Sequence, residues 1–128
     1  MITLATLKDA TAQQVFDQVK NHLLKQYARS VGPEGCAYRA CWDGQKLMCA
    51  AGCLISDEEY AERGSFIMDG SNNTSWDYHV EKGRVPKEHF DLIKSLQTIH
   101  DQDDPSEWSA QLKELAAYHG LVYEGVTE

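Results

Sequence analysis

Four cysteines lie close together in the chain, and their spacing raises the question of a metal site or a reactive thiol. Cys36, Cys41, Cys49 and Cys53 fall within 18 residues with the spacing C-x4-C-x7-C-x3-C. A structural zinc ion is held by four sulfur or nitrogen ligands in a tetrahedron, often supplied as two close pairs. Neither pair here has the two-residue gap typical of such sites, so a zinc set would need a histidine to complete it.

The element predicted to position these cysteines is a β-hairpin over residues 36–49. Its expected turn is Asp43-Gly44, because glycine adopts positive φ at little cost. With a two-residue turn, Cys41 faces Lys46 and points to the opposite face from the other two cysteines of the hairpin. With a three-residue loop, Cys41 faces Leu47 and shares a face with one of them. Neither register gathers all four sulfurs easily.

Free thiols are the favoured interpretation of the cysteines. In a reducing compartment, cysteine behaves as a small hydrophobic residue and disulfides are not expected. Cys53 is the strongest candidate for a reactive thiol, but a nucleophile needs a histidine or a helix N-terminus to lower the thiol pKa. None of the five histidines stands in a catalytic signature. We therefore predict no cofactor, with zinc on Cys36, Cys49 and Cys53 as the alternative.

Acidic residues form the second group of chemical interest. The chain has 12 basic and 20 acidic side chains, a formal net charge of -8. Residues 1–50 hold six basic and four acidic side chains, whereas residues 51–128 hold six and sixteen. Binding to phosphate requires clustered Lys and Arg, so this balance excludes a general nucleic-acid binder.

The acidic residues concentrate in two clusters, one near residue 58 and one near residue 104. Carboxylates favour the positive end of a helix dipole, so both clusters are explained as solvated helix starts. The alternative is a face that repels nucleic acid or imitates it for a basic protein. The predicted partner-binding acidic face consists of Asp57, Glu58, Asp101, Asp103, Asp104 and Glu107.

Enzyme motifs are absent from the sequence. It contains no P-loop, no dinucleotide-binding glycine pattern, no H-E-x-x-H and no G-x-S-x-G. His100-Asp101 and the nearby carboxylates suggest a hard-metal site, but the glycine and glutamate of an EF-hand loop are missing. We therefore interpret this segment as an acidic turn between helices, assign no catalytic residues and favour a non-enzymatic protein.

Three helices are expected to support these segments. Thr11 and Gln14 form a capping box that predicts a helix from Ala12 to Arg29. A second helix is expected to have Pro86 near its start. A third begins at Asp104 as N-cap, with Pro at its first position and Gly120 beyond its end.

Residues 63–84 are the least periodic part and predict a long surface loop with one short strand at 65–68. Trp76 and Tyr78 are expected to attach this loop to the body. The predicted fold class is α+β: a mostly helical single domain over residues 1–128, with three main helices and one β-hairpin.

The cysteine block resembles a motif of small proteins from tailed phages and prophages. The residues that carry the resemblance are Cys36, Tyr38-Arg39, Gly44, Lys46, Cys49-Ala50, Gly52-Cys53-Leu54-Ile55, Asp57-Glu58 and Tyr60. The later pattern is also shared, from Val85-Pro86 through Ile99-His100-Asp101 to Trp108. Cys41-Trp42 and Met48 depart from the motif, which makes Cys41 the weakest member of any shared metal site. The resemblance implies a phage-type accessory protein but no activity.

The sequence has no apolar run of the roughly 20 residues that a membrane span needs, and no basic N-terminal region. We expect a bacterial host cytosol as its location, and neither nucleic acid nor membrane as a direct partner. The leading hypothesis is a small acidic protein that binds and modulates a host protein, itself basic or nucleic-acid-binding. Such a protein would serve as a counter-defence factor or a nucleic-acid-mimicking inhibitor. The alternative is a metal- or ligand-binding protein built on the Cys36–Cys53 hairpin.

Overall fold

The computed structural model describes residues 1–32, 35–36, 40–42, 45–63, 76–83 and 85–124. This part of the chain is mostly helical, as predicted, and three of its helices are much longer than the others. One-turn 3-10 helices lie at Leu7–Asp9 and Gly52–Leu54. The α-helices are α1 (Ala12–Gln26), α2 (Asp57–Arg63), α3 (Trp76–Glu81), α4 (Phe90–Gln102) and α5 (Pro105–Tyr118).

Helix α1 begins at the predicted cap and ends earlier than predicted. The Thr11 hydroxyl accepts a hydrogen bond from the Gln14 N–H at 3.1 Å, and the Gln14 side chain accepts one from the Thr11 N–H at 2.9 Å. At the other end, Tyr27 adopts a left-handed conformation with φ of 52°. A left-handed residue cannot continue a right-handed helix. The helix therefore stops at Gln26, and the predicted end at Arg29 is wrong.

Helix α1 is the central element of the core. It packs against α4, against α5 and against the 3-10 helix Gly52–Leu54. Its apolar side chains recur at helical spacing and are fully buried, which removes their hydrocarbon surface from water. These buried residues are Val15, Phe16, Val19 and Leu23.

Three glutamines of α1 also bind the backbone of other segments. In each case the side-chain amide accepts from the backbone N–H of one residue and donates to the carbonyl oxygen of the same residue. Such paired bonds fix a neighbouring segment in register on the helix. The pairs are Gln13 with Val122, Gln18 with Ile2, and Gln26 with Met48, at distances between 2.7 and 2.9 Å.

The strand region differs from the predicted single hairpin. It forms two antiparallel pairs, β1 (Val31–Gly32) with β2 (Gly35–Cys36), and β3 (Ala40–Trp42) with β4 (Gln45–Leu47).

Two of the cysteines therefore fall outside the observed pair of β3 and β4. Cys36 faces Val31, and Cys49 follows the end of β4. The predicted hairpin over residues 36–49 is wrong in extent, because the paired Gly32 and Gly35 are separated by only two residues. That separation allows a local tight pairing, which removes Cys36 from the longer strand. Cys41 faces Lys46, the partner expected for a two-residue turn, while the turn itself at 43–44 lies outside the described residues.

Helix α3 corrects the prediction that residues 63–84 are a surface loop. Trp76 is only 3 % exposed and His79 is fully buried, so this segment packs into the body of the protein. Asp77 of α3 forms an ion pair of 2.8 Å with Lys94 of α4. The hydrogen bond and the charge of Asp77 raise the pKa of Lys94 above its usual value. Residues 64–75, with the strand predicted at 65–68, lie outside the described residues.

Helices α4 and α5 follow each other closely and pack together and onto α1. Helix α4 starts at Phe90 rather than near Pro86, because His89 at its N-cap is left-handed with φ of 62°. The His89 ring lies 2.8 Å from the Ala10 carbonyl oxygen, which joins this helix start to the N-terminal segment. The predicted start of α5 is confirmed, with Asp104 as N-cap and Pro at the first position.

Candidate functional site

The turn between α4 and α5 is built around a buried histidine. His100 is fully buried, and its Nε2 accepts a hydrogen bond of 2.9 Å from the backbone N–H of Ser30. That bond places the ring proton on Nδ1, which lies 2.8 Å from the Asp101 carboxylate and donates to it. Both ring nitrogens therefore form hydrogen bonds within the fold. The arrangement holds Ser30 against α4 and leaves no ring nitrogen to act as a catalytic base.

Asp101 also takes part in a second set of hydrogen bonds within the protein. Its carboxylate also accepts a hydrogen bond of 2.8 Å from the Gln97 side-chain amide. The amide oxygen of Gln97 in turn accepts from the backbone N–H of Ala51 at 2.9 Å. These hydrogen bonds join α4 to Ala51, which lies directly before the 3-10 helix Gly52–Leu54. Asp101 is thus partly used by the fold, unlike the freely exposed carboxylate that the sequence predicted.

Trp108 fixes the backbone of the turn. Its indole N–H donates to the carbonyl oxygens of both Ile99 and Asp103, each at 3.1 Å. The indole also stacks on the His100 ring, with 5.8 Å between centroids and 24° between planes. These two carbonyls stand where α4 ends, and the Ile99 carbonyl also accepts from the backbone N–H of Asp103 at 3.2 Å, so the indole joins the end of α4 to α5.

The outer side of the turn carries carboxylates that the fold uses less. Asp104 is the N-cap of α5, but its side chain makes no capping hydrogen bond and is 71 % exposed. It lies 3.2 Å from the Arg29 guanidinium, whose Nε donates to the Asp103 carbonyl at 3.2 Å. Glu107 is exposed in the first turn of the same helix. We call Asp101, Asp103, Asp104 and Glu107 the acidic turn.

The acidic residues of α2 lie in a different setting. Asp57 and Glu58 are exposed in the first turn of that helix. Glu59 is instead bound to the N-terminal segment, where its two carboxylate oxygens accept from the N–H groups of Leu4 and Ala5 at 2.9 Å each. The two acidic clusters therefore stand on separate elements with separate contacts.

Glu59 was missed as a contact residue, although a sequence signal for it exists. Ser56 and Glu59 have the spacing of a capping box, and each side chain binds the other residue's backbone N–H at 3.0 to 3.1 Å. Burial raises the pKa of Glu59, but the backbone N–H donors of Ser56, Leu4 and Ala5, together with the Ser56 hydroxyl, outweigh it and lower this pKa. The anchoring of residues 4 and 5 has no such signal, because it joins segments far apart in sequence.

The described cysteines behave as structural thiols. Cys49 and Cys53 are both buried thiols. The Cys49 sulfur accepts from the Gly52 N–H at 3.3 Å, and the Cys53 thiol donates to the Ala50 carbonyl at 3.2 Å. Among the described residues, no group of three or more His, Cys, Asp or Glu stands in a position to hold a metal ion. The side chain of Cys36 lies outside them, so the set of Cys36, Cys49 and Cys53 stays a prediction.

A groove of about 610 Å³ lies between α1 and the segment that runs from β4 to the cysteines. Helix α1 contributes Asn21, His22 and Lys25 to one wall. Lys46, Met48 and Cys53 contribute to the other. This groove was not predicted from the sequence, because the residues named on its two walls are more than twenty positions apart and meet only through packing. We call it the basic groove.

The comparisons add no relative to these observations. A search of protein-family models, curated proteins and solved structures finds no match for the chain. In the described part of the chain, no helix has both the length and the apolar character that crossing a membrane requires.

Proposed function

We propose that this protein is a small acidic accessory protein of phage type that binds and modulates a basic host protein in the bacterial cytosol. The observation that carries the proposal is the exposure of Asp104 and Glu107 on a turn whose backbone is fixed by Trp108. Carboxylates on a fixed backbone can meet a cationic partner without that backbone first being ordered. Charge complementarity of this kind provides specificity and fast association.

The same proposal takes β3 and β4 as one β-hairpin of an α+β domain. The pairing of Cys41 with Lys46 supports this assignment. In such a domain the hairpin supports α1, while the partner contacts the later helices. Counter-defence or imitation of nucleic acid is the proposed consequence, since a carboxylate array competes with phosphates for a basic surface.

A binding role is further supported by the use of His100 in the fold. Its two ring nitrogens contact Ser30 and Asp101. This buried histidine–carboxylate pair therefore contributes to the structure of the turn. The groups that the turn exposes to solvent are its charged carboxylates.

The test is affinity purification from a bacterial host lysate, followed by mass spectrometry, with three forms of the full chain. The first is the wild type, and the second is D104N/E107Q, which removes two exposed charges and no described fold contact except the Arg29 pair. The third is D9N/E81Q, which removes the same charge from exposed positions on other elements. We expect the first and third forms to capture a basic host protein with similar affinity. The second form should bind it about three- to tenfold more weakly.

Salt provides a second criterion for the same experiment. Screening by 0.5 M salt should remove the captured protein from the wild type, because exposed charges interact only over a few ångströms at that ionic strength. Equal capture by the wild type and D104N/E107Q would contradict the acidic turn as the interface. A further form, D57N/E58Q, shows whether the start of α2 belongs to the same face.

A second candidate function is the binding of a small ligand or a metal beside the Cys36–Cys53 segment. The position of the basic groove, with Met48 and Cys53 in its wall, favours the ligand. The metal version predicts one zinc per chain in protein purified without chelator. It also predicts that C49S loses zinc while C41S retains it. Folded protein that contains no zinc would contradict the metal version.

A further inference from the structure

The basic groove has walls that are held at a fixed separation. The Gln26 side-chain amide binds both the N–H and the carbonyl oxygen of Met48, each at 2.9 Å. The His22 ring lies 2.8 Å from the same carbonyl oxygen. Helix α1 is thereby bound directly to the segment after β4. A groove fixed in this way is formed before a ligand arrives, so binding does not require the walls to be ordered.

The charge of the groove is opposite to the charge of the protein. Lys25 and Lys46 stand on opposite walls and are both exposed. No Asp or Glu is found among the described residues that line it. In a chain with 20 acidic and 12 basic residues, two lysines without a carboxylate form a local exception. Two ammonium groups facing one cleft attract an anion.

A neighbouring groove provides a control within the same molecule. It has a volume of about 480 Å³ and lies between the N-terminal segment and α1. Asp9 and Asp17 line it, and no Lys or Arg is among its described lining residues. The two grooves share Met1 and Gln18 and are similar in size, so the sign of the charged side chains that line them is the clearest difference between them.

The apolar part of the basic groove limits the class of anion. Met48 is partly buried, and methionine adapts its shape to irregular apolar ligands. A volume near 600 Å³ falls in the range of sites for small organic molecules. From the lysine pair, the fixed walls and this methionine, we infer that the basic groove binds a small organic anion, with a carboxylate or phosphate between Lys25 and Lys46 and an apolar body on Met48. This inference rests on the second proposed function and names its ligand class.

The test is a titration of the ¹⁵N-labelled full chain with three probes, followed by amide chemical shifts. The probes are octanoate, octylammonium and inorganic phosphate, which separate the anion from the apolar body. We expect saturable shifts of the amides around Lys25 and Lys46 with octanoate. Octanoate should bind about tenfold more tightly than octylammonium at these amides, and phosphate should bind more weakly than octanoate.

Two double variants locate the site. K25A/K46A should weaken octanoate about tenfold, whereas K8A/K113A, which removes two exposed lysines elsewhere, should leave its affinity unchanged. Octylammonium binding as tightly as octanoate at these amides would overturn the anion while retaining a ligand site. The absence of saturable shifts with all three probes would overturn both the inference and the ligand version of the second proposed function.

Discussion

The acidic turn and the basic groove are built in the same way but carry opposite charge. In the turn, the inner polar groups are His100 and Trp108. The His100 ring accepts from a backbone N–H and donates to Asp101, and the Trp108 indole donates to two backbone carbonyl oxygens. In the groove, the inner polar groups are His22 and Gln26, which bind the backbone of Met48. The outer groups are carboxylates in the first case and ammonium groups in the second.

Different groups determine the shape of each region and the sign of the partner that it attracts. Inner groups that bind backbone determine the shape of each region, because an unpaired buried polar group costs free energy. Outer charges contribute little to stability when they are exposed. They determine instead which sign of partner is attracted. Substitution of inner residues should therefore change the free energy of unfolding, and substitution of outer residues should change binding.

The largest effect is expected for the inner part of the turn. W108A removes a fully buried side chain and both indole hydrogen bonds, and it should lower the free energy of unfolding by about 3 to 5 kcal/mol. The adjacent outer variant E107Q should change it by less than about 0.5 kcal/mol. Urea unfolding followed by circular dichroism measures both. Similar losses in the two variants would contradict the division into inner and outer groups.

The inner part of the groove should show the next largest effect. Q26A leaves the Met48 backbone without two of its hydrogen bonds and removes a third bond of 2.7 Å to the Ala28 carbonyl. We expect a loss of about 1 to 3 kcal/mol in the free energy of unfolding. The neighbouring outer variant K25A should leave stability nearly unchanged and affect anion binding only. A stable Q26A protein with an intact groove would show that the His22 contact and packing hold the walls without Gln26.

Glu59 is an acidic residue that belongs to the inner class, and its contribution to stability should depend on pH. Its folded pKa is lowered from the usual 4.5. Its contribution is therefore complete above the unfolded pKa and is lost as the pH falls through the folded pKa. E59Q should be less stable than the wild type by about 1 kcal/mol at pH 7, and the difference should shrink below pH 4. E58Q, at an exposed position, is the control and should change the free energy of unfolding at pH 7 by less than about 0.5 kcal/mol.

The sequence predicted the parts of the fold that depend on local signals. The capping box of Thr11 and the Asp104 N-cap were found because each involves residues a few positions apart. The end of α1 was missed, because a left-handed Tyr27 replaces the glycine that usually marks a helix end. Helix α3 was missed because six residues between a polar stretch and Gly83 give too few periods of apolar spacing.

The sites were predictable only in part, for a related reason. The residues of the acidic turn are close together in the sequence and could be grouped from it, but the binding of Asp101 by His100 and Gln97 depends on tertiary packing. The basic groove brings Lys25 and Lys46 to one cleft through the contact of Gln26 with Met48. No pattern within a window of the sequence reports a pair separated by 21 positions.

The smallest effect on stability, and a direct test of the outer layer, is expected for R29Q. Arg29 is the cation that contacts Asp104, and both side chains are substantially exposed. Its removal should change the free energy of unfolding by less than about 1 kcal/mol, because exposed ion pairs contribute little. Asp104 would then be available to a partner. The affinity for a fluorescein-labelled hexalysine peptide, measured by anisotropy, should rise about two- to threefold.

K113Q provides the matched control for R29Q, since it removes one positive charge from an exposed position of α5. If the two variants raise peptide affinity equally, the peptide responds to net charge, and the acidic turn has no special role. If R29Q alone raises it, the peptide binds at the turn, where Arg29 competes with it for Asp104. The distinction is sharpest at low ionic strength, because at 1 M salt charges act over only about 3 Å. A rise that persists in 1 M salt would place the effect in the shape of the turn rather than in its charge.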